Sequence, residues 1–301
     1  MEFLDPLRVL KLLEKEIPAR VRGHIVMVGS LAAAYHHKER LGRQGIATKD
    51  ADFLVHPAGG KNVARELART LLAGGWSRSV RQGKECFPMP RGTSPDKCRA
   101  IRLLPPKRSE FYLEILGLPK RDQRERLVWQ ALDLDDGRYA LPCFRFMGLA
   151  VEGARETPEG FKRASAAMMG LSHLLSHPEI GIQRIRDEEG VQRETRSAKD
   201  LGRALALWFL ADERERDSWL HEWIRGLRRR FPKTWRKVAG LAGKGLRALV
   251  GDRAALQEAY ELNRVGLMNR MEMTPGNLAI LAEELLQGPI AGLQRQARAG
   301  S

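Results

Sequence analysis

Two aspartates one residue apart, Asp50 and Asp52, precede the apolar run Phe53–Val55 and have the side chains and spacing of a metal site. Side chains alternate along a strand with a period of two, so a strand over residues 50–55 projects both carboxylates from one face. Two such carboxylates can bind one divalent cation or two adjacent ones, and they repel each other without a cation. A solvated strand edge or an Asx-type turn is the alternative interpretation.

A third acid, Glu114, lies in the run at 110–117, whose alternation predicts a strand with Glu114 among apolar neighbours. The run at 98–104 predicts another strand, and the Pro-rich link between the two indicates a hairpin. Glu114 could therefore join Asp50 and Asp52 as a metal ligand. Alternatively, it pairs with Arg102 on the neighbouring strand.

The stretch at 24–42 predicts a strand, a Gly29-Ser30 turn and a helix. The N–H groups of such a turn and the helix dipole attract anions, and the hydroxyl of Ser30 can donate to a phosphate oxygen. Metal-binding carboxylates facing a phosphate-binding turn are what phosphoryl or nucleotidyl transfer needs. A Gly-Ser turn with no ligand is the alternative.

The remaining pattern divides the chain into two predicted domains, residues 1–155 and 156–301. Apolar spacing predicts helices in the first domain at 4–16 and 59–75, and residues 138–152 indicate one or two further short strands. After residue 157 the pattern is helical apart from a charged, irregular segment at 179–197. Near the end, Thr274 is the predicted N-cap of a helix that has Pro275 at its first position.

Composition favours a polyanionic partner. The 301 residues are 43% hydrophobic, and 52 basic against 37 acidic residues give a net charge of +15. Nucleic acid or a phosphorylated substrate would suit this charge, although a basic soluble protein without such a partner is also compatible with it.

Cysteine content and hydropathy favour a cytoplasmic protein with no membrane partner. Cys86, Cys98 and Cys143 are widely spaced and odd in number, so neither a disulfide framework nor a zinc knuckle is indicated. The N-terminus carries charges within its apolar pattern, unlike a signal peptide, and no run of 18 apolar residues occurs.

The segment 225–247 contains lysine and arginine but no acidic residue, which is typical of a phosphate-binding surface. Tryptophans in or beside it could stack on bases, although their helical spacing equally predicts core positions. The candidate nucleic-acid contacts are Arg228, Arg229, Arg230, Lys233, Arg236 and Lys237.

Two histidine pairs have a spacing that could suggest a metal site. We interpret His36 and His37 as helix-surface residues, and His173 and His177 as residues that pack at a helix end.

The ordered motifs resemble a known superfamily. The stretch "VMVGSLAAAYHH … TKDADFLV" resembles the Gly-Ser plus D-x-D signature of polymerase β-type nucleotidyltransferases, and Glu114 in "FYLEILG" matches their third carboxylate. The resemblance covers roughly residues 24–117. It implies an α+β fold with a nucleotidyltransferase-type mixed β-sheet flanked by helices, followed by a C-terminal α-helical domain. It also implies that Gly29 and Ser30 bind the triphosphate, while Asp50, Asp52 and Glu114 bind Mg²⁺.

Further along, "TPEGF" and "SAKDLGRALALW" resemble the helical part of bacterial nucleotidyltransferase-fold proteins related to the AbiEii abortive-infection toxins. Lys199 and Asp200 match their Lys-Asp element, which implies a nucleotide-binding role with Lys199 on a phosphate. The resemblance implies transfer of a nucleoside monophosphate from an NTP to a hydroxyl of RNA (tRNA) or protein, as a toxin or phage-defence component that could have an antitoxin partner. A further lysine of that group is replaced near Ala164-Ser165, so a non-catalytic nucleotide- or nucleic-acid-binding module is the alternative.

Overall fold

A computed structural model describes residues 4–41, 46, 48, 50–56, 60–78, 80–81, 84–85, 87–106, 111–186, 192–269 and 271–299. The chain forms two compact units. We call residues 1–38, 42–120 and 124–164 the sheet unit, and residues 39–41, 121–123 and 165–301 the helical unit.

Strands and short helices alternate up to residue 164. In chain order the elements are α1 (Pro6–Glu16), α2 (Ala19–Arg22), β1 (Ile25–Val28), α3 (Gly29–His36), α4 (Lys38–Leu41), β2 (Asp50–Val55), α5 (Gly60–Ala73), β3 (Ser77–Arg78), β4 (Val80–Arg81), β5 (Lys84–Glu85), β6 (Arg102–Leu104), β7 (Tyr112–Leu116), β8 (Leu127–Leu134), β9 (Gly137–Phe144), β10 (Arg155–Glu156) and β11 (Lys162–Arg163). Single 3-10 turns occupy Pro95–Lys97 and Met147–Val151.

Helices dominate the remainder. They are α6 (Ala166–Ser176), α7 (Arg196–Leu210), α8 (Glu213–Arg230), α9 (Trp235–Ala239), α10 (Lys244–Gly251), α11 (Arg253–Arg264), α12 (Pro275–Leu285) and α13 (Ala291–Arg298), with a kinked turn at Leu286–Ile290 and a hairpin of β12 (Arg184–Arg186) and β13 (Gln192–Thr195). None of the helices in the described part of the chain is long and apolar enough to cross a membrane.

The main sheet has seven strands in the order β10-β11-β1-β2-β7-β6-β3. The pairs β1/β2 and β6/β7 are antiparallel, whereas β2/β7 and β1/β11 are parallel, so the sheet is mixed. Helices α1, α3 and α5 belong to the same unit. The predicted α+β fold, a mixed sheet with flanking helices followed by a helical C-terminal part, is confirmed.

Alternating polarity explains the central strands. In β2 and β7 the residues Ala51, Phe53, Leu113 and Ile115 are fully buried, while the residues between them at the start of each strand are half-buried. One face of the sheet therefore joins the core. The other face, at this end of the strands, is open enough to carry polar side chains.

Side-chain caps mark the helix starts of the helical unit. Ser165, Thr195, Asp212 and Asp252 each accept a hydrogen bond from a backbone N–H in the first turn of the following helix. Thr274 forms a capping box with Asn277 and has Pro275 at the first helical position, which confirms that prediction.

Three features differ from the sequence expectations. Strand β8 was not predicted, and it forms a long hairpin with β9. Strands β12 and β13 occupy the segment expected to be irregular. Strands β10 and β11 extend the main sheet beyond residue 155, so the division at 155/156 stays a prediction, while compact packing changes units between Ala164 and Ser165. Cys98 and Cys143 are buried and form no disulfide bond among the described residues, and Cys86 lies outside the described residues.

Candidate functional site

Four residues from four strands lie side by side in one row across the sheet. Val28 on β1 is opposite Asp52 on β2, Asp52 is opposite Glu114 on β7, and Glu114 is opposite Arg102 on β6. Registered neighbours point to the same face and their strands lie about 4.8 Å apart. We call Asp52, Glu114 and Arg102, with Val28 at the end, the charged row.

Asp50 lies two residues before Asp52 on the same face, opposite Tyr112. Asp50, Asp52 and Glu114 are all half-buried. The hydroxyl of the buried Thr48 donates a hydrogen bond to Asp50 Oδ1 and fixes the orientation of that carboxylate. The structure thus places the three predicted acids on one face of the sheet.

The Gly29-Ser30 turn follows Val28 directly and begins α3, as predicted from sequence. Gly29 has φ +69°, in the left-handed region that favours glycine. A Cβ at Gly29 would lie 2.8 Å from Asp52 Oδ2, so a larger residue there would require that carboxylate to shift. The turn and the acidic face therefore adjoin each other within the sheet unit.

Arg102 forms an ion pair with Glu114, with 3.1 Å between Nη2 and Oε2. The pair is only partly accessible, since the two side chains are 27% and 12% exposed. Burial opposes the charge of Arg102, but Glu114, Tyr112 and Asp52 outweigh it and raise the Arg102 pKa. The pairing with Arg102 that sequence offered as an alternative is thus present, together with the shared face of the three acids.

Negative charge on this face also affects Tyr112. Burial, followed by the charge of Asp50, raises the pKa of the Tyr112 hydroxyl, with smaller contributions from Glu114 and Asp52. The phenol is therefore neutral at physiological pH and can donate a hydrogen bond.

The donors on this face fit a hard divalent cation. Carboxylate oxygens are the ligands that Mg²⁺ prefers, and the three acids on this face are only half-buried. Among the described residues, Asp50, Asp52 and Glu114 do not form a set with one oxygen of each within 4.8 Å of the others. One ion shared by all three acids would therefore require side-chain rotation, including a move of Glu114 away from Arg102.

Lys199 and Asp200 lie in α7 of the helical unit. Lys199 is half-buried, whereas the carboxylate of Asp200 is buried and 2.8 Å from His177 Nε2. His173 Nδ1 and Arg203 Nη1 lie 3.7 Å and 3.5 Å from the other oxygen of Asp200. Asp200 thus has three basic neighbours within its own unit, and its assignment to nucleotide binding stays a prediction.

We call Asp200, His173, His177 and Arg203 the buried cluster. Its electrostatics favour an ionised Asp200 and a neutral His173. Burial opposes ionisation of Asp200, but His173, the hydrogen bond from His177 and the charge of Arg203 together lower its pKa. Burial lowers the pKa of His173 to about 4, although the charge of Asp200 acts in the opposite direction. The histidine pair packs at the end of α6, as the sequence interpretation had it, and it shares a carboxylate that sequence spacing did not reveal.

Five of the six candidate nucleic-acid contacts are exposed, namely Arg228, Arg229, Lys233, Arg236 and Lys237. Arg230 is only 5% exposed, so its side chain is not available at the surface. Trp219 and Trp223 are fully buried, which fits the core alternative. Trp235 is 8% exposed, and the guanidinium carbons of Arg228 and Arg236 lie 4.8 Å and 5.2 Å from the centre of its ring.

Comparison with known proteins adds little to what the structure itself shows. No family model matches the chain, and no curated protein matches it. A solved structure, the CD-NTase CdnG of Bradyrhizobium diazoefficiens in complex with GTP, is similar over 99% of this chain and 89% of that protein, with 11% identity and a TM-score of 0.28. A similarity at this level supports no statement about activity, so the functional argument rests on the geometry of the sheet face.

Proposed function

We propose that this protein is a Mg²⁺-dependent nucleotidyltransferase that transfers a nucleoside monophosphate from an NTP to a hydroxyl acceptor. The supporting observation is the adjacent placement of Asp52 and Glu114 in the charged row, with Asp50 on the same face and Gly29 against Asp52. A divalent cation bound there would neutralise phosphate charge and make the acceptor hydroxyl a better nucleophile.

Each residue of the face has a definite part in this proposal. Asp50 and Asp52 would hold the cation, with Thr48 fixing Asp50. Glu114 would complete the metal site and help to take the proton from the acceptor. The N–H groups at Gly29 and Ser30 would orient the triphosphate at the start of α3. The acceptor oxygen would bond to the α-phosphorus as the bond to the bridging oxygen breaks and pyrophosphate leaves.

RNA, in particular tRNA, is our proposed acceptor, and a protein hydroxyl is the competing one. The exposed cations of α8, α9 and the turn between them would neutralise RNA phosphates, and the net charge of +15 favours the same class of partner. With the tryptophans buried, this contact would depend on charge and therefore weaken steeply with salt. Lys199 is proposed as a further phosphate contact.

Labelled transfer is the direct test. Each α-labelled NTP is incubated with Mg²⁺ and either total RNA or total protein, with wild-type protein and Asp50→Asn. We expect label in the RNA fraction with wild-type protein and none with the variant or with EDTA. Label in the protein fraction alone would mean that the acceptor is a protein hydroxyl and not RNA. No Asp50-dependent label in either fraction would contradict transferase activity.

A non-catalytic nucleotide-binding module is the second candidate function, and the ion pair between Arg102 and Glu114 favours it. In that pair Glu114 is engaged by a guanidinium rather than free for a metal. Equilibrium binding of a labelled NTP separates the candidates, because a module binds tightly and yields no pyrophosphate, whereas an enzyme releases it.

For the biological role we propose a toxin or phage-defence component related to the AbiEii group, with a protein antitoxin as a further partner. Induced expression in a bacterial host should arrest growth with wild-type protein and not with Asp52→Asn at equal protein level. Harmless expression of active wild-type protein would contradict a toxin role while leaving the transfer chemistry intact.

A further inference from the structure

The arginine of the charged row is held on two sides. Arg102 Nη2 lies 3.1 Å from Glu114 Oε2 and 3.3 Å from Glu114 Oε1, so one nitrogen contacts both oxygens. The guanidinium carbon lies 5.1 Å from the centre of the Tyr112 ring. Charge and ring contact together keep Arg102 on the same face as Asp50 and Asp52.

The hydrogen bonding of Arg102 is incomplete. Its Nε is buried and has no hydrogen-bond partner among the described residues. An arginine with a permanent structural role usually fills its donors, because an unpaired buried donor costs free energy. Arg102 is therefore held mainly by the charge of Glu114, and another cation could compete for that charge.

The charge balance of the face points in the same direction. Among the described residues, three carboxylates share this face with the guanidinium of Arg102, and they do not converge on a common point in this arrangement. We propose that Arg102 is a resident counter-cation that competes with a divalent metal ion for Glu114, so that an ion using Glu114 must first displace Arg102. This inference rests on the metal site of the proposed function and describes how that site is regulated.

Two consequences follow from this competition. Without metal, Arg102 reduces the repulsion among the carboxylates and so stabilises the sheet unit. With metal, it raises the concentration at which Glu114 becomes a ligand. Removing the guanidinium should therefore make the fold more dependent on Mg²⁺ and tighten the binding of Mg²⁺ at the same time, and a merely structural arginine would not produce this combination.

Thermal unfolding of the full chain tests both consequences without an activity assay. Tm is measured in EDTA and across a Mg²⁺ titration for wild-type protein and Arg102→Gln. We expect a lower Tm for the variant in EDTA, a larger rise on adding Mg²⁺, and a half-maximal Mg²⁺ concentration that is lower by about threefold to tenfold, the scale of a partly exposed ion pair. Arg20→Gln is the matched control, since Arg20 pairs with Glu66 at 2.6 Å on the surface.

Two further variants assign the effect to Glu114. Glu114→Gln should lose most of the Mg²⁺ response, and the double variant with Arg102→Gln should behave like Glu114→Gln alone. Arg102→Lys keeps the charge but not the two-oxygen contact, so a smaller decrease in the half-maximal concentration is expected. Arg102→Lys decides the question if Arg102→Gln does not fold in either buffer.

The inference is overturned if the Mg²⁺ titrations of wild-type protein and the Arg102 variants coincide, or if none of these proteins responds to Mg²⁺. It survives a failure of the proposed function, because a Glu114-dependent Mg²⁺ response can occur without any label transfer. Conversely, label transfer together with coincident Mg²⁺ titrations would support the transferase activity and contradict the competition of Arg102 with Mg²⁺.

Discussion

The acidic face of the sheet unit and the buried cluster of the helical unit use carboxylates in opposite ways. On the sheet, Asp50, Asp52 and Glu114 lie on one face with Arg102, which pairs with Glu114. In the helical unit, one carboxylate, that of Asp200, has two histidines and an arginine around it. Among the described residues, acids are in excess on the sheet face, which favours binding of a cation, whereas the bases around Asp200 stabilise its charge within the fold. The charge balance of each cluster therefore predicts its sensitivity to mutation.

The largest expected effect is on activity, at the acidic face. Asp52→Asn should reduce label transfer by about a thousandfold, the scale for losing one electrostatic partner of a transition state. The Tm in EDTA should stay unchanged or rise, because the substitution removes a charge that repels its neighbours. Parallel transfer assays and thermal unfolding check this.

Asp135→Asn is the matched control for that prediction, since Asp135 is an exposed acid of the same unit paired with Arg69. It should alter neither activity nor Tm. A large loss of Tm with Asp52→Asn and retained activity would show that the acids of the sheet are structural, and the contrast between the two regions would disappear.

The buried cluster should show the reverse behaviour. Asp200→Ala removes the shared partner of His173, His177 and Arg203, and breaking such a buried pair costs about 3–5 kcal/mol in the free energy of unfolding. Urea denaturation monitored by circular dichroism measures it. If Asp200→Asn instead keeps wild-type stability and loses NTP binding, the nucleotide-binding role implied by the family resemblance is correct for this residue.

Acid should weaken the helical unit through His173. The folded protein binds a proton at His173 only near pH 4, while the unfolded chain binds it near pH 6.5, so acidification favours unfolding in this window. From pH 7 to pH 5 the loss should reach about 2 kcal/mol. The lowered pKa of Asp200 adds a further loss below its usual value of 3.8. Urea denaturation at each pH measures both.

His173→Gln is the variant that isolates this contribution. It should flatten the pH dependence between pH 6.5 and pH 4 while leaving His177 on Asp200. An unchanged slope would mean that other groups dominate the acid response. The same substitution at the exposed His221 is the matched control for the change from histidine to glutamine.

Local periodicity predicted part of the acidic face. The period of two predicted that Asp50 and Asp52 share a face, and the predicted hairpin placed Arg102 near Glu114. The sequence offered Arg102 only as an alternative partner of Glu114, yet Arg102 lies in the charged row itself. Thr48 and Tyr112 were missed as site residues, although both lie within two residues of a predicted acid. The parallel pairing of β2 with β7 connects residues far apart in the chain, and no local pattern indicates it.

The helical unit was harder to predict in detail because its decisive contacts are not local. His177 and Asp200 are 23 residues apart, so the spacing within "HLLSH" could not identify their partner. The buried Arg230 was indistinguishable from its exposed neighbours in a uniformly basic run. The hairpin β12/β13 arose in a charged segment with little apolar alternation, where the usual signal of a strand is weak.

The smallest expected effect concerns the backbone that joins the turn to the acidic face. Gly29→Ala places a Cβ at a residue with φ +69° and 2.8 Å from Asp52 Oδ2, but the obstructing atom ends a side chain that can rotate away. We expect the free energy of unfolding to fall by about 1 kcal/mol from the backbone conformation and by a further amount from the steric conflict, with about a tenfold loss of transfer from the displaced carboxylate. In the double variant with Asp52→Gly the steric conflict is absent, so the cost of the alanine to stability should shrink toward the backbone contribution alone. An equal cost in both backgrounds, measured by urea denaturation, would mean that Gly29 serves the turn and not the position of Asp52.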